Sequence, residues 1–212
     1  MLAEILEIFA PLDSGIVVDA TLGGGGHAMA ILDMQPDLQL VGFDQDPAAI
    51  KAATERLAPH KDRVQFCHAR FDEMAEQLAN LGIAQIAGVL FDLGVSSHQL
   101  DTADRGFSFR HDGPLDMRMN TTQDASASQL VNEADPAELE DMLRTYADER
   151  YARRIAKAIV AARPVSTTTQ LADIVRDAIP APARRKGGHP AKRTFQALRI
   201  AVNDELLSLI HI

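Results

Sequence analysis

The chain has 212 residues, 30 of them acidic and 21 basic, for a formal net charge of −9 at pH 7. As a global average, that excess of acid argues against a polyanionic partner, because affinity for nucleic acid comes largely from Lys and Arg on phosphates. A single cysteine, Cys67, excludes an internal disulfide framework and a Cys-based zinc cluster, and no apolar run reaches the roughly 18–20 residues of a membrane helix.

The start, Met1 to Ala10, carries Glu4 and Glu7 and no basic residue, unlike a signal peptide, so the cytoplasm is the expected compartment. Gly15 to Ala20 is a short β-branched run that meets a glycine cluster, Gly23 to Gly26. The spacing predicts a helix over His27–Met34, a strand over Leu38–Phe43, a turn at Asp44–Pro47 and a helix over Ala48–Leu57. The alternation continues with a strand at Val64–His68, a helix at Asp72–Leu81 and a strand at Ile86–Asp92. Four strands separated by helices imply an α/β fold with a parallel sheet covered on both faces. From Gly94 to about Thr122 the chain is polar and aperiodic, a length that in a compact domain usually serves function. Helical patterns then dominate: Ala125–Glu133, Pro136–Thr145, Arg150–Ala162, Thr169–Ile179 and, after a basic Pro/Gly linker at Pro180–Gly188, Lys192–Leu209.

Gly23-x-Gly25-x-x-Ala28 opens the first helix, and Asp44 follows Gly23 by 21 residues, close to the spacing of about 20 expected for an acid that binds an adenosine ribose. Asp19 closes the first strand and Asp92 the fourth, which adds two carboxylates at strand tips, where open α/β sheets bind ligands. Negative charge there opposes a pyrophosphate and suits a cationic, adenosine-bearing cofactor, S-adenosylmethionine. An NAD(P)-dependent oxidoreductase is the rival reading, and a plain strand–helix turn with a surface Asp is the bland one.

Five strings, Asp19–His27 (DATLGGGGH), Phe91–Ser97 (FDLGVSS), Arg105–Phe109 (RGFSF), Asp112–Met119 (DGPLDMRM) and His189–Gln196 (HPAKRTFQ), resemble the RsmH (MraW) family, over about Leu2 to Leu206. That resemblance implies transfer of a methyl group from S-adenosylmethionine to the 4-amino group of a cytidine in 16S rRNA of the small ribosomal subunit. It implies a Rossmann-like methyltransferase domain at 1–103, an inserted helical substrate-recognition domain at 104–190 and a return helix of the first domain at 191–212. It implies cofactor contacts at Gly25, Gly26, His27, Asp44, Phe71, Asp92 and Gln99. For Phe71, packing on adenine and an ordinary place in the core both stay open.

A cytosine 4-amino group is a poor nucleophile, so its methylation needs alignment and an acceptor for the N–H as charge develops. Asp92 is the candidate acceptor. Asp112 and Asp116 are a second candidate pair with catalytic roles, against the commoner reading of loop acids that cap turns. Phe107 and Phe109 either stack a splayed-out base or anchor the long loop. His98 and His111 lie near Asp101 and Asp104 without ligand spacing, so no metal is expected. The charge is unevenly spread: residues 144–199 hold 13 Lys and Arg against 4 Asp and Glu, while residues 1–143 hold 8 against 24. Arg153, Arg154, Arg184, Arg185, Lys186, Lys192 and Arg193 are therefore candidate RNA-binding residues, with Arg150 and Lys157 expected to share a helix face with the first two. A methyltransferase sheet of this class has seven strands and only four are legible, so the chain is expected to be a truncated form that exposes an edge of its fourth strand and folds poorly. An inactive RNA-binding fragment is the non-enzyme alternative.

Overall fold

The β-branched run Gly15–Asp19 forms β1, and in the computed structural model, which describes residues 2–184 and 188–206, it lies inside a four-stranded parallel sheet. Leu38–Asp44 (β2), Val64–His68 (β3) and Gly88–Leu90 (β4) complete it in the order β3-β2-β1-β4. Strand direction reverses its march across the sheet after β3, since β4 returns to the far side of β1. The tips of β1, β2 and β4 therefore flank the switch point at which such sheets bind ligands.

Alternation along the strands divides the core. Val17 and Leu38 pack with Phe9 of α1 (Leu2–Phe9) and Ile31 of α2 (Gly26–Met34). On the same side, Leu40 meets Leu32 of α2 and Ala53 of α3 (Pro47–Arg56). Val18, Val41 and Phe43 face the other way, towards Leu78 of α4 (Met74–Asn80). Burial on both faces explains why β1 and β2 read as near-continuous apolar runs. The helix α3 starts as its sequence dictates: Pro47 opens it and the Asp46 carboxylate accepts the Ala48 N–H at 2.9 Å. Helix α1 was not legible as an element, although Ile5, Leu6 and Phe9 of its apolar stripe pack on the sheet. The fourth strand is shorter than the apolar run Ile86–Asp92, because only Gly88–Leu90 enter the ladder with β1.

The second unit spans residues 97–206 and is helical. Its helices are α5 (Ser97–Asp101), α6 (Ala127–Glu133), α7 (Pro136–Ala147), α8 (Ala152–Ala162), α9 (Thr168–Ala178), α10 (Ala181–Arg184) and α11 (Lys192–Asn203). Ser126 and Gln129 cap α6 reciprocally, and the Thr167 hydroxyl accepts an N–H in the first turn of α9. Leu139, Leu143, Ile155, Ile159, Leu171, Val175 and Leu198 are fully buried and form its core. This unit begins at Ser97, so α5 and the turn at Ala103–Arg105 fall within it. The helix expected to return to the sheet, α11, packs on α7 and α6 within the second unit, since Phe195, Leu198 and Val202 on its buried face belong to that core. Helix α8 starts at Ala152, so Arg150 precedes the helix and does not share a face with Arg153, Arg154 and Lys157.

The long loop is held by its own backbone. Gly106 has φ 71°, and a side chain there would run into the carbonyl oxygen of Pro114. Asn203, 2% exposed, accepts the Met119 N–H at 2.7 Å and donates to Met117 O at 2.8 Å, which ties the DGPLDMRM segment to the end of α11. Asn203→Ala strands a buried donor and a buried acceptor together. It is expected to destabilise the second unit by about 2–4 kcal/mol, read as a lower urea midpoint, and an unchanged midpoint would show that the loop is anchored elsewhere.

Candidate functional site

At the tip of β1 the chain turns sharply through Gly23–Gly26 into α2. Gly25 is the N-cap of α2 with φ 72°, and a Cβ there would lie 3.3 Å from Ala53 and Leu57, so both conformation and space call for glycine. Asp44, at the tip of β2, holds this turn: its Oδ2 accepts the Gly23 N–H at 2.8 Å and its Oδ1 the Asp46 N–H at 2.9 Å. The 21-residue spacing seen in the sequence is therefore a hydrogen bond. A carboxylate has about four lone-pair sites, so Asp44 retains acceptor capacity for a ligand. Arg56 of α3 brings a guanidinium beside Gly24 and Gly26, so the turn itself carries mixed charge.

Asp19 is 1% exposed; its Oδ1 accepts the Thr21 N–H at 3.2 Å, and its Oδ2 is buried with no hydrogen bond. Burial pushes its pKa up to about 6, with the charges of Asp44 and Asp92 acting in the same direction and His27 and the Thr21 N–H opposing them. Burial likewise raises Asp44. Asp92, two residues beyond β4, is fixed from two sides. Its N–H donates to Thr21 Oγ1 at 2.7 Å, and its Oδ2 pairs with His27 Nε2 at 3.2 Å. The other ring nitrogen, His27 Nδ1, is buried without a partner. Thr21, which braces both Asp19 and Asp92, escaped the sequence reading; a Thr two residues past a strand-end Asp was its only signal.

The first unit thus brings Gly25, Gly26, His27, Asp44 and Asp92 to one edge of the sheet. Phe71 follows close behind, two residues past Ala69, whose N–H donates to Asp44 O at 3.2 Å; its ring stands edge-on to Phe91, 5.8 Å between centroids. Phe71 also packs in the core cluster around Phe43 and Leu78. The other named residues belong to the second unit. Gln99 is buried in α5. Phe107 is buried under the Arg105 guanidinium, 5.6 Å from its ring centroid, whereas the half-buried Phe109 stacks on His189 at 4.3 Å and meets Phe195 edge-on at 4.9 Å. Asp112 accepts from the Thr169 hydroxyl and N–H at the start of α9, and Asp116 takes two bonds from the Arg118 guanidinium, at 2.7 and 2.9 Å. Hydrogen bonds from Thr169 and Thr167 hold the Asp112 carboxyl low. At Asp116 burial is the largest influence and raises the carboxyl, but Arg118 outweighs it and leaves the group lowered.

The structure also sorts the cations. Arg144, Arg176 and Arg199 pair with acids on or near their own helices, while Arg163 and Arg184 donate to backbone carbonyls. Arg150, Arg153, Arg154, Lys157 and Lys192 are exposed with no partner among the described residues, and Arg193 donates to Asp148 O at 2.7 Å. Arg185 and Lys186 lie outside the described residues. Among the described residues no three of His, Cys, Asp and Glu converge as a metal-ligand set, and no helix is long and apolar enough to cross a membrane.

Comparison with known proteins matches residues 1–212 to the MraW methylase family. Two proteins named ribosomal RNA small subunit methyltransferase H, from Saccharopolyspora erythraea and Thermobifida fusca, are each 53% identical over 212 residues, covering 97% of this chain and 64% of their own length. The protein of that name from Symbiobacterium thermophilum is 52% identical over 213 residues, covering 99% of this chain and 67% of its own. The chain therefore spans about two thirds of the length of these relatives.

Asp19 makes a signed prediction. Its carboxyl is raised from an ordinary 3.8 to about 6, so the folded state holds its proton more tightly than the unfolded state. The stability this contributes is present below pH 3.8 and is lost as pH rises through about 6. Asp19→Asn is expected to raise stability at pH 8 by on the order of 1–3 kcal/mol and to leave it unchanged near pH 4. Thermal unfolding across that range checks this, and an equal shift at both ends would mean that Asp19 does not titrate there.

Proposed function

The chain belongs to the MraW methylase family, and on that premise we propose that it transfers a methyl group from S-adenosylmethionine to the 4-amino group of a cytidine in 16S rRNA of the small ribosomal subunit. The observation that carries the cofactor reading is Asp19: a buried carboxylate with one oxygen unpaired, beside a glycine turn and flanked by two further acids. Uncompensated buried charge is retained where a ligand of opposite charge neutralises it. The ammonium and sulfonium of S-adenosylmethionine fit that requirement better than the pyrophosphate of a dinucleotide.

In this reading Asp44 accepts from the ribose hydroxyls with the capacity left after Gly23 and Asp46. Gly25 and Gly26 give close backbone approach, Phe71 flanks the adenine, and Asp19 and His27 serve the amino-acid end. S-adenosylmethionine supplies an electrophilic methyl group. Asp92 does the proton work: Oδ2 is held by His27, and Oδ1, with no protein donor among the described residues, accepts the N–H of the attacking amine and takes its proton as the N–C bond forms. Asp112 and Asp116, the other catalytic candidates, are engaged with Thr169 and Arg118, so we assign them to shaping the loop. Phe109 is the better candidate to stack a base, because Phe107 is buried beneath Arg105. Arg153, Arg154, Lys192 and Arg193 are the candidate phosphate contacts, joined by Arg184, Arg185 and Lys186 as the sequence suggests. The reaction belongs in the cytoplasm, where the ribosomal subunit is.

Calorimetry with S-adenosylmethionine and with NAD separates this reading from the oxidoreductase; heat with NAD alone would overturn it. Asp44→Ala is expected to weaken S-adenosylmethionine binding by on the order of tenfold to a hundredfold. Asp92→Ala is expected to lower the rate of labelled-methyl transfer to rRNA by about a hundredfold or more, and a rate equal to that of the unsubstituted chain would remove Asp92 from the chemistry.

A further inference from the structure

Between the turn that precedes α8 and the start of α11, the second unit forms a cavity of about 410 Å3, within the roughly 300–1,000 Å3 of small-ligand pockets. Arg150, Lys192 and Arg193 line it, together with the rings of Tyr151 and His189 and one carboxylate, Glu149. Glu149 is buried and its Oε1 is occupied by the Tyr151 N–H at 2.8 Å. Arg193 is steadied by its bond to Asp148 O, the carbonyl of the residue that ends α7. Arg150 and Lys192 carry no such bond among the described residues, so their charges are uncompensated.

Two helices begin at this cavity. Tyr151 is the N-cap of α8 and Ala191 that of α11; neither start has a side-chain cap, and neither first turn contains an acid. A helix N-terminus is the positive end of its dipole and favours acids or bound anions. Here Arg153 and Arg154 occupy the first turn of α8, and Lys192 and Arg193 that of α11. Thr194, in the same turn of α11, is fully buried with an unbonded hydroxyl. The C-terminal ends of α7 and α9 also reach the cavity, at Asp148 and Ile179, but among the charged side chains of the lining Arg150, Lys192 and Arg193 outnumber the one carboxylate, Glu149, an excess of positive charge that an anion relieves.

We propose that this cavity is a phosphate subsite that takes one phosphodiester of a single-stranded RNA, with Arg150 and Lys192 as the charge partners and Tyr151 and His189 flanking the adjoining nucleoside. The assignment rests on the rRNA reading above and adds to it a defined place for one backbone phosphate. An acidic peptide meets the same cations but has no use for the two rings, whereas bases and riboses pack on such rings.

The test is fluorescence anisotropy of a labelled, unstructured single-stranded RNA against the full chain over a series of salt concentrations. Arg150→Gln and Lys192→Gln are expected each to weaken binding by on the order of tenfold and to lower the slope of log affinity against log salt by about 0.7. Both side chains are exposed, so the melting temperature is expected to stay put. Lys61→Gln, at an exposed position of the first unit, is the control and is expected to change neither quantity. If the chain binds RNA but Arg150→Gln and Lys192→Gln bind as well as it does, or if Lys61→Gln loses as much, the cavity assignment fails and the substrate reading survives. If polyglutamate competes as well as unlabelled RNA, an acidic protein is the partner and the assignment fails. If the chain binds S-adenosylmethionine and no RNA, the substrate reading fails with it.

Discussion

A carboxylate taken out of water without a full set of donors is among the least favourable things a fold can hold, and the first unit is arranged around one. Asp19 sits at the tip of β1, inside a ring of constraints that serve its neighbours more than itself. Asp44 holds the glycine turn, Thr21 braces Asp92, and His27 pairs with Asp92. Each of these contacts reinforces the geometry of the sheet edge, and none of them occupies Asp19 Oδ2. The parallel order β3-β2-β1-β4 makes this possible, because it carries three strand ends to one side and leaves helix α2 to start among them. The site is a strained electrostatic arrangement stabilised by a well-packed sheet beneath it.

Much of this was legible in the amino-acid sequence, for identifiable reasons. Strands β1 and β2 are buried on both faces and so read as apolar runs, β3 followed from the repeat of strand and helix although none of its residues is buried, all three with nearly their observed limits, and the Gly23–Asp44 spacing corresponded to a direct bond. Helix α1 was obscured because its eight residues give only two turns of periodicity. Helix α5 was obscured for a related reason: it is five residues long, too short for a periodic pattern to show. The His27–Asp92 pair joins residues 65 apart and had no sequence signal beyond two polar residues in separate motifs. The resemblance of those motifs to a methyltransferase family named both residues without saying that they touch.

The second unit shows why a count of charges is a poor guide to a surface. Of the basic residues between 144 and 199, Arg144, Arg176 and Arg199 are neutralised by acids within six residues, and Arg163 and Arg184 donate to carbonyls. The uncompensated ones gather at the start of α8 and the start of α11, which is where a helix least tolerates them. The net charge of −9 averages an acidic segment and a basic one, and the basic one is itself an average of structural and free cations.

The buried Nδ1 of His27 has a consequence for selectivity. In the tautomer that donates Nε2–H to Asp92, Nδ1 presents a bare lone pair. Around the tips of β1, β2 and β4 the side chains then bring together acceptors, the remaining lone pairs of Asp44 and Asp92 Oδ1, with Asp19 Oδ2 and His27 Nδ1 buried among them. A surface of this kind sorts partners by the protons they bring. Hydroxyls, ammonium groups and exocyclic amines complete these acceptors, while a carbonyl oxygen facing them adds one more. Under the proposed function, that is a chemical basis for telling cytosine from uracil, since the two bases differ at position 4 by an amino donor against an oxo acceptor.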